Sequence, residues 1–256
     1  MLLGVDTGGT FTDFVLFDGE SLRVHKVLST PAAPEQAILQ GIADLGLSMN
    51  QLQVVHGSTV ATNAVLERKG VRTVYITNRG FGDVLTIGRQ ARWELYKLQP
   101  EPQPPPVPRE LCLEVTARIG ADGSCISELT TADQERLQRQ IAALQPEAVA
   151  INLLFSFIDD TDERTIESWL PAGIFVSRSS EVLPEYKEYE RGIATWLNAC
   201  IGPLVDGYLQ RLGKQLAPAP VTVMQSSGGT ISAEQAGRKA VHLLLSGPAG
   251  GLMGAR

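Results

Sequence analysis

Only three cysteines occur in the 256 residues, Cys112, Cys125 and Cys200, and they lie far apart with no paired spacing. That pattern argues against a disulfide framework or a zinc site and points to buried thiols in a reducing compartment. A basic surplus is also missing. Lys and Arg number 22 against 28 Asp and Glu, a net charge of −6, and the pI is near 5.2. A nucleic-acid backbone is therefore not expected as the main partner. Long apolar runs are absent too: the longest, AVAINLLFSFI at 148–158, falls well short of the ~20 residues of a membrane-spanning helix. The N-terminus has no basic region and Asp6 interrupts its apolar start, so no signal peptide is expected. These absences together lead to the expectation of a cytoplasmic protein with no membrane partner. The opening also has neither a Walker A spacing nor a GxGxxG after its first apolar stretch, so it is neither a P-loop nor a Rossmann fingerprint. What is left is a globular composition, 43% hydrophobic and 20% charged, sufficient for one large domain or two smaller ones.

The residues that are present become informative at the start, in LLGVDTGGTFTDFVLFDG, 2–19. Leu2, Leu3 and Val5 lead in as a strand, Phe11, Phe14, Leu16 and Phe17 lead out as a second, and Gly8 and Gly9 mark the bend, where backbone angles that other residues avoid are expected. A plain hairpin does not need Asp6 at the end of its first strand, Thr7 and Thr10 around the glycines, Thr12 and then Asp13. Such side chains are costly to bury without partners. Small hydroxyls, bare backbone N–H groups and a carboxylate suit a phosphate chain with a magnesium ion. A plain polar turn is the competing reading of the same stretch.

Further along, strands and helices alternate. A helix is expected within 30–47, a strand, polar turn and helix across 53–70, and another strand in 71–81. A proline-dense connector occupies 99–110, and two strands around an ADG turn fill 111–129. A helix at 131–144 with Thr131 as a plausible cap, a buried strand at 147–157, a helix at 159–170 and a strand at 173–182 follow. A long helical pattern spans 185–216, with a bend expected near Pro203. Alternation of this kind indicates an α/β protein, and the opening hairpins make its sheet mixed.

GVDTGGTFTD (4–13) resembles the signature of the hydantoinase A/5-oxoprolinase family. The resemblance continues in order through HGSTVATNAVLERKGVRT (56–73), RGFGDVLTIGRQ (79–90), VAINLLFSF (149–157), SSEVLPEYKEYER (179–191), LNA (197–199), MQSSGG (224–229) and SGPAGG (246–251). It implies an actin/hexokinase-like, ribonuclease H-like fold, with an N-terminal domain over 1–178 and the start of a hydantoinase A domain over 179–256. It also implies an ATP-dependent cyclic-amide hydrolase of the 5-oxoprolinase or hydantoinase type, in which ATP activates the ring carbonyl oxygen for opening. Alternatives are a subunit of an ATP-dependent ketone carboxylase and a non-catalytic assembly half. The implied cofactors are ATP and Mg2+ (or Mn2+), with Asp6 as the metal ligand. Asp6 and Asp13 are the implied catalytic pair, and Thr7, Gly8, Gly9, Thr10 and Thr12 the implied phosphate contacts. A hydantoinase B-type subunit or domain is the implied partner, and a homo-oligomer is compatible.

His56, Ser58, Thr59 and Asn63 stand where a strand runs into a helix, a place where helix-end N–H groups can face an anion or substrate. Helix capping by Ser58 or Thr59 and a satisfied core histidine are the alternative. Arg89 in IGRQAR either meets a carboxylate or phosphate or is a surface arginine. Glu190 and Arg191 are expected to form a structural ion pair. Three departures from the family pattern stand out: HGST for the usual HGTT, SSGG for SNGG, and Trp93 in place of a proline. Family members run to several hundred residues and present a second Asp-Gly-Gly-Thr motif after SGPAGG. The expectation is therefore an N-terminal portion or split subunit, inactive alone and completed by a C-terminal lobe.

Overall fold

A computed structural model describes residues 1–91, 94–99 and 104–247. Trp93, part of the proline-dense connector and the end of SGPAGG lie outside the described residues. In chain order the elements are β1 (Leu2–Thr7), β2 (Phe11–Phe17), β3 (Leu22–Leu28), α1 (Pro34–Asp44), β4 (Gln53–Ser58), α2 (Val60–Leu66), β5 (Thr73–Asn78) and α3 (Val84–Ile87). They continue through β6 (Cys112–Val115), β7 (Arg118–Ile119), β8 (Cys125–Ser127), α4 (Thr131–Leu144), β9 (Ala148–Asn152), α5 (Thr161–Ser168), β10 (Phe175–Arg178) and α6 (Ser179–Val182). The last are α7 (Glu188–Leu216), β11 (Val221–Met224), β12 (Thr230–Ser232) and α8 (Ala233–Arg238).

Two compact units share these elements: Met1–Gly70 with Ile201–Arg256, and Val71–Cys200. The first is built on a mixed six-stranded sheet in the order β12-β11-β4-β1-β2-β3. β1 pairs antiparallel with β2 and parallel with β4, so the crossover through α1 lies between two parallel neighbours. Strict alternation in β1 and β2 buries Leu3, Val5, Phe14 and Leu16. These side chains form one core with Ile38 and Ile42 of α1, Ala61 and Ala64 of α2, and Val205, Leu209 and Leu212 of α7. The helices therefore cover one face of the sheet. On the other face Leu2, Val15 and Phe17 stay exposed.

In the second unit β10-β9-β5-β6 is wholly parallel. Every residue of β5 and β9 is buried; β9 reads as an apolar run up to Asn152, whereas β5 also buries Thr73, Thr77 and Asn78. β7 and β8 form a separate antiparallel ribbon around the ADG turn. The helix expected at 131–144 is capped by Thr130 rather than Thr131: the Thr130 hydroxyl accepts from the Asp133 amide, and the Asp133 carboxylate accepts from the Thr130 amide. α7 runs through Pro203 without interruption and begins at Glu188 rather than 185. Part of the strand expected at 173–182 is instead the short helix α6.

The EYER motif divides its two charged residues. Glu190 is bound by Arg89, while Arg191 is fully buried and points elsewhere. Its Nε donates to Asn152 Oδ1 at 3.0 Å and Ser179 Oγ at 3.1 Å, and its Nη2 donates to the Leu153 carbonyl at 2.8 Å. Glu163, also fully buried, accepts from the Leu153 amide, the Ser179 hydroxyl and the Ser180 amide. A buried guanidinium is tolerable only with its donors satisfied and a counter-charge nearby, and this network supplies both.

Candidate functional site

The β1–β2 turn has an asymmetric hydrogen-bond pattern. Three of its carbonyls are held from below: Thr59 Oγ1 donates to the Thr7 carbonyl at 3.0 Å, Ser29 Oγ to the Gly8 carbonyl at 2.8 Å, and the Ser29 amide to the Thr10 carbonyl at 2.9 Å. Gly8 N–H closes the turn on the Phe11 carbonyl at 3.0 Å. Among the described residues, the Gly9 and Thr10 amides have no acceptor. Acceptors tied down and donors left open is the arrangement that suits an anion. The expected reason for the glycines needs correction. Neither Gly8 nor Gly9 adopts a left-handed backbone. At Gly8 the requirement is space, because a Cβ would sit 3.1 Å from the Phe11 carbonyl oxygen, and at Gly9 a Cβ would meet nothing.

Beside the turn a row of residues crosses four strands in register: Gly57, Asp6, Asp13 and Lys26. Lys26 Nζ pairs with Asp13 at 2.9 Å. The Asp6 carboxylate has no hydrogen-bond or ion-pair partner among the described residues. Burial and then the Asp13 charge push its pKa above the ordinary aspartate value. Gly57 leaves the space this carboxylate occupies, since a Cβ there would lie 3.0 Å from Asp6 Oδ1. Asp6, Asp13 and Gly57 line a cavity of about 300 Å³ with Gly4, Val15, Val55, Met224, Ser246 and Gly247, on the sheet face opposite α1, α2 and α7.

A second cavity, about 250 Å³, opens on the helix-covered face. Thr7, Gly8 and Gly9 reach it from the turn, Thr59 and Asn63 from the β4–α2 junction, and Leu204, Tyr208 and Arg211 from α7. Thr7 is buried and its hydroxyl has no partner.

The other expected residues have different surroundings. His56 is fully buried, lies on the opposite sheet face from Asp6, and its Nε2 is hydrogen-bonded with the Tyr208 hydroxyl at 2.7 Å. Burial pushes its pKa down to about 4, so the ring is neutral at neutral pH. Ser58 is buried and accepts from the Val60 amide at the start of α2. The expectation that His56 and Ser58 face an anion or substrate is thus corrected: alternation along β4 turns them to the helix side, away from Asp6, and neither lines either cavity. Thr12 is also fully buried, and its hydroxyl bonds with Ser29 Oγ at 2.9 Å, so it supports the turn from behind instead of facing outward. Arg89 belongs to the other unit, where Nε and Nη2 hold the Glu190 carboxylate at 2.7 and 2.6 Å.

Ser29, Lys26 and Tyr208 were missed by sequence reasoning. Nothing local in the sequence marks Ser29 or Tyr208. Lys26 shares one face of β3 with Val24 and Leu28, and only the strand register reveals its partner. Among the described residues no group of three or more His, Cys, Asp or Glu side chains is placed to hold a metal ion, and no helix is long and apolar enough to cross a membrane.

Comparison with known proteins gives the same family. The model of the hydantoinase/oxoprolinase N-terminal region matches residues 2–172, and that of hydantoinase/oxoprolinase matches 191–256. The caprolactamase subunit alpha of Pseudomonas jessenii is 31% identical, over 96% of this chain and 38% of its own length. The 5-oxoprolinase 1 of Arabidopsis thaliana is 30% identical, over 98% of this chain and 23% of its own. A nucleotide-free structure of acetone carboxylase, from work on ATP-dependent acetone carboxylation, superimposes with a TM-score of 0.87 at 27% identity, covering 100% of this chain and 40% of that one. The chain belongs to the hydantoinase/oxoprolinase family and has its actin-like α/β fold. It spans 38% of the length of the caprolactamase subunit it matches.

Proposed function

We propose that this member of the hydantoinase/oxoprolinase family supplies the phosphate- and metal-holding part of an ATP-dependent hydrolase of small cyclic amides. The carrying observation is the β1–β2 turn, with its carbonyls engaged and its Gly9 and Thr10 amides open beside the unpartnered Asp6 carboxylate. A cation fits that carboxylate. Asp6 is held against its own ionisation by burial and by Asp13, and a positive charge would relieve both effects. Magnesium is commonly held by one or two carboxylates together with phosphate oxygens and water, so a cluster of three protein ligands is not required. When bound, ATP supplies the phosphoryl group that makes a poor amide electrophile attackable, and Mg2+ (or Mn2+) neutralises its charge.

The chain's own residues position and stabilise. Gly9 and Thr10 donate their amide protons to phosphate oxygens. Asp6 takes the cation, with Asp13 adding negative charge and Lys26 restraining it. Thr12, Ser29 and Thr59 keep the turn rigid, so no reorganisation is needed as charge develops. Thr59, Asn63 and Thr7 are the candidate substrate contacts, and His56 and Ser58 act from behind as positioning residues. Arg89 holds Glu190 within its own unit and has no assigned part in this site.

The likeness to acetone carboxylase supports a second reading, in which the activated oxygen is that of a small ketone. Both chemistries need the same carbonyl-oxygen activation. Relatives named as subunits support a partner subunit, of hydantoinase B type in this proposal. The test is ATP turnover by the chain joined to the remaining length its relatives carry, with that partner and a panel of cyclic amides and ketones. Stimulation by a lactam that is lost in Asp6→Asn supports the hydrolase. Bicarbonate-dependent turnover with a ketone supports the second reading, and no nucleotide-dependent activity with either refutes both.

A further inference from the structure

We propose that the cavity on the helix-covered face is a binding site for a small, uncharged, largely apolar ring carrying one carbonyl, and that it excludes a ring bearing a carboxylate. This deepens the reading above, on which it rests for the identification of the carbonyl compound as substrate.

Size comes first. At about 250 Å³ the cavity lies just below the roughly 300–1,000 Å³ of ordinary ligand sites, a size that suits a small ring. Its walls are mostly apolar, with Val60, Ala64, Leu204 and the ring of Tyr208 among them. One polar group stands out. Thr7 is 3% exposed, lines the cavity, and its hydroxyl has no hydrogen-bond partner. An unpaired buried hydroxyl is costly, and a ligand carbonyl accepting its proton would remove that cost.

Charge decides between neutral and anionic rings. The two cations at the rim are already neutralised: Arg211 Nε donates to the buried Glu35 at 2.8 Å, and Lys69 pairs with Glu67 at 2.5 Å. Each pair is neutral as a whole, so neither leaves a spare positive charge for an anion. A carboxylate entering here finds no unpaired cation: it would have to draw Arg211 or Lys69 from its partner, or take the Gly9 amide assigned above to phosphate, whereas a neutral amide needs neither. The position fits the reaction, because Thr7, Gly8 and Gly9 belong both to this wall and to the turn proposed to hold phosphate.

The matched probes are 2-pyrrolidinone and 5-oxoproline, the same five-membered lactam without and with a carboxylate. Each is titrated into this chain without nucleotide and followed by amide NMR. The expected result is that 2-pyrrolidinone shifts resonances of Gly9, Val60 and Ala64 and binds about tenfold or more tightly than 5-oxoproline. Thr7→Val should weaken the neutral ring about three- to tenfold, the loss of one hydrogen bond, with the rest of the spectrum unchanged. Leu204→Trp, at a half-exposed helix position, should abolish binding by filling the cavity. Equal or tighter binding of 5-oxoproline, shifts that cluster elsewhere, indifference to both variants, or no binding of the neutral ring would each overturn the proposal. ATP binding is titrated separately: its absence with the lactam bound defeats the nucleotide reading and leaves this one standing, and the converse result does the opposite.

Discussion

Acidification should unfold this protein partly through one histidine, His56. The ring is fully buried between the sheet and α7 and bonded to Tyr208. Burial lowers its pKa from the ordinary 6.5 to about 4. In the unfolded chain the ring takes a proton near the ordinary value, so between these limits the unfolded state binds more protons than the folded one. Stability is then fully present above about pH 6.5 and falls as pH drops towards 4. At about 1.4 kcal/mol per pH unit, a drop to about pH 4.5 should remove about 2–3 kcal/mol, a large share of the 5–15 kcal/mol of a typical domain. Carboxylates titrate over part of the same range, so the measurement is a difference. Urea unfolding is followed at steps from about pH 7 to about pH 4.5 for the chain and for His56→Gln, which cannot titrate. The variant should be less stable at neutral pH, because packing and the Tyr208 bond are impaired, yet lose less on acidification. Parallel pH profiles would refute the reasoning and place the ring in contact with solvent or a counter-charge.

Three further outcomes follow from the same contacts. If the proposed function holds, Asp6→Asn should lower ATP turnover of the chain joined to the remaining length its relatives carry about a hundredfold or more, with little change in urea midpoint, because the carboxylate has no partner among the described residues to lose; an unaffected rate would refute Asp6 as the proposed metal ligand. Arg191→Met should destabilise the chain by about 3–5 kcal/mol, since it strands the buried Glu163 near unfilled acceptors, and Glu163→Gln combined with it should recover part of that loss in a double-mutant cycle. Arg89→Ala should leave the thermal midpoint unchanged, because its pairing with Glu190 is exposed; a marked fall in KM-dependent rate without a stability change would instead make it a substrate contact.

Much of the fold was legible because its signals are local. The alternation in 2–17, the apolar run of β9 and the helical pattern ending at Leu216 each correspond to an element of the structure. Local cues misled where a neighbour decided. Ser179–Val182 reads as strand continuation, yet Ser179 and Ser180 turn to meet Glu163 and the chain closes into α6. Glu190 and Arg191 are adjacent and opposite in charge, which suggests a pair. Successive helix positions point about 100° apart, so each found a different partner.

The candidate site shows a sharper limit. That Asp6 and Thr7 matter could be read from their oddity on an apolar hairpin, but which residues join each of them could not. β1 and β4 are about fifty residues apart in sequence, and their register sets Val5 against His56 and Asp6 against Gly57. Had the register slipped by one residue, His56 would stand beside Asp6 and the two would form a general acid–base pair in one cleft. In the observed register the space beside Asp6 falls to a glycine, and the histidine goes to the core. Parity along β1 then divides the turn's neighbours between two cavities, carboxylates on one face and Thr7 with Thr59 and Asn63 on the other. On the proposed reading, a turn that binds phosphate between a cation at Asp6 and a neutral pocket would let charge develop on a carbonyl oxygen without exposing that carbonyl to the carboxylates, which would repel it. The separation that hides the site from sequence reading is thus the feature that gives it a chemical use.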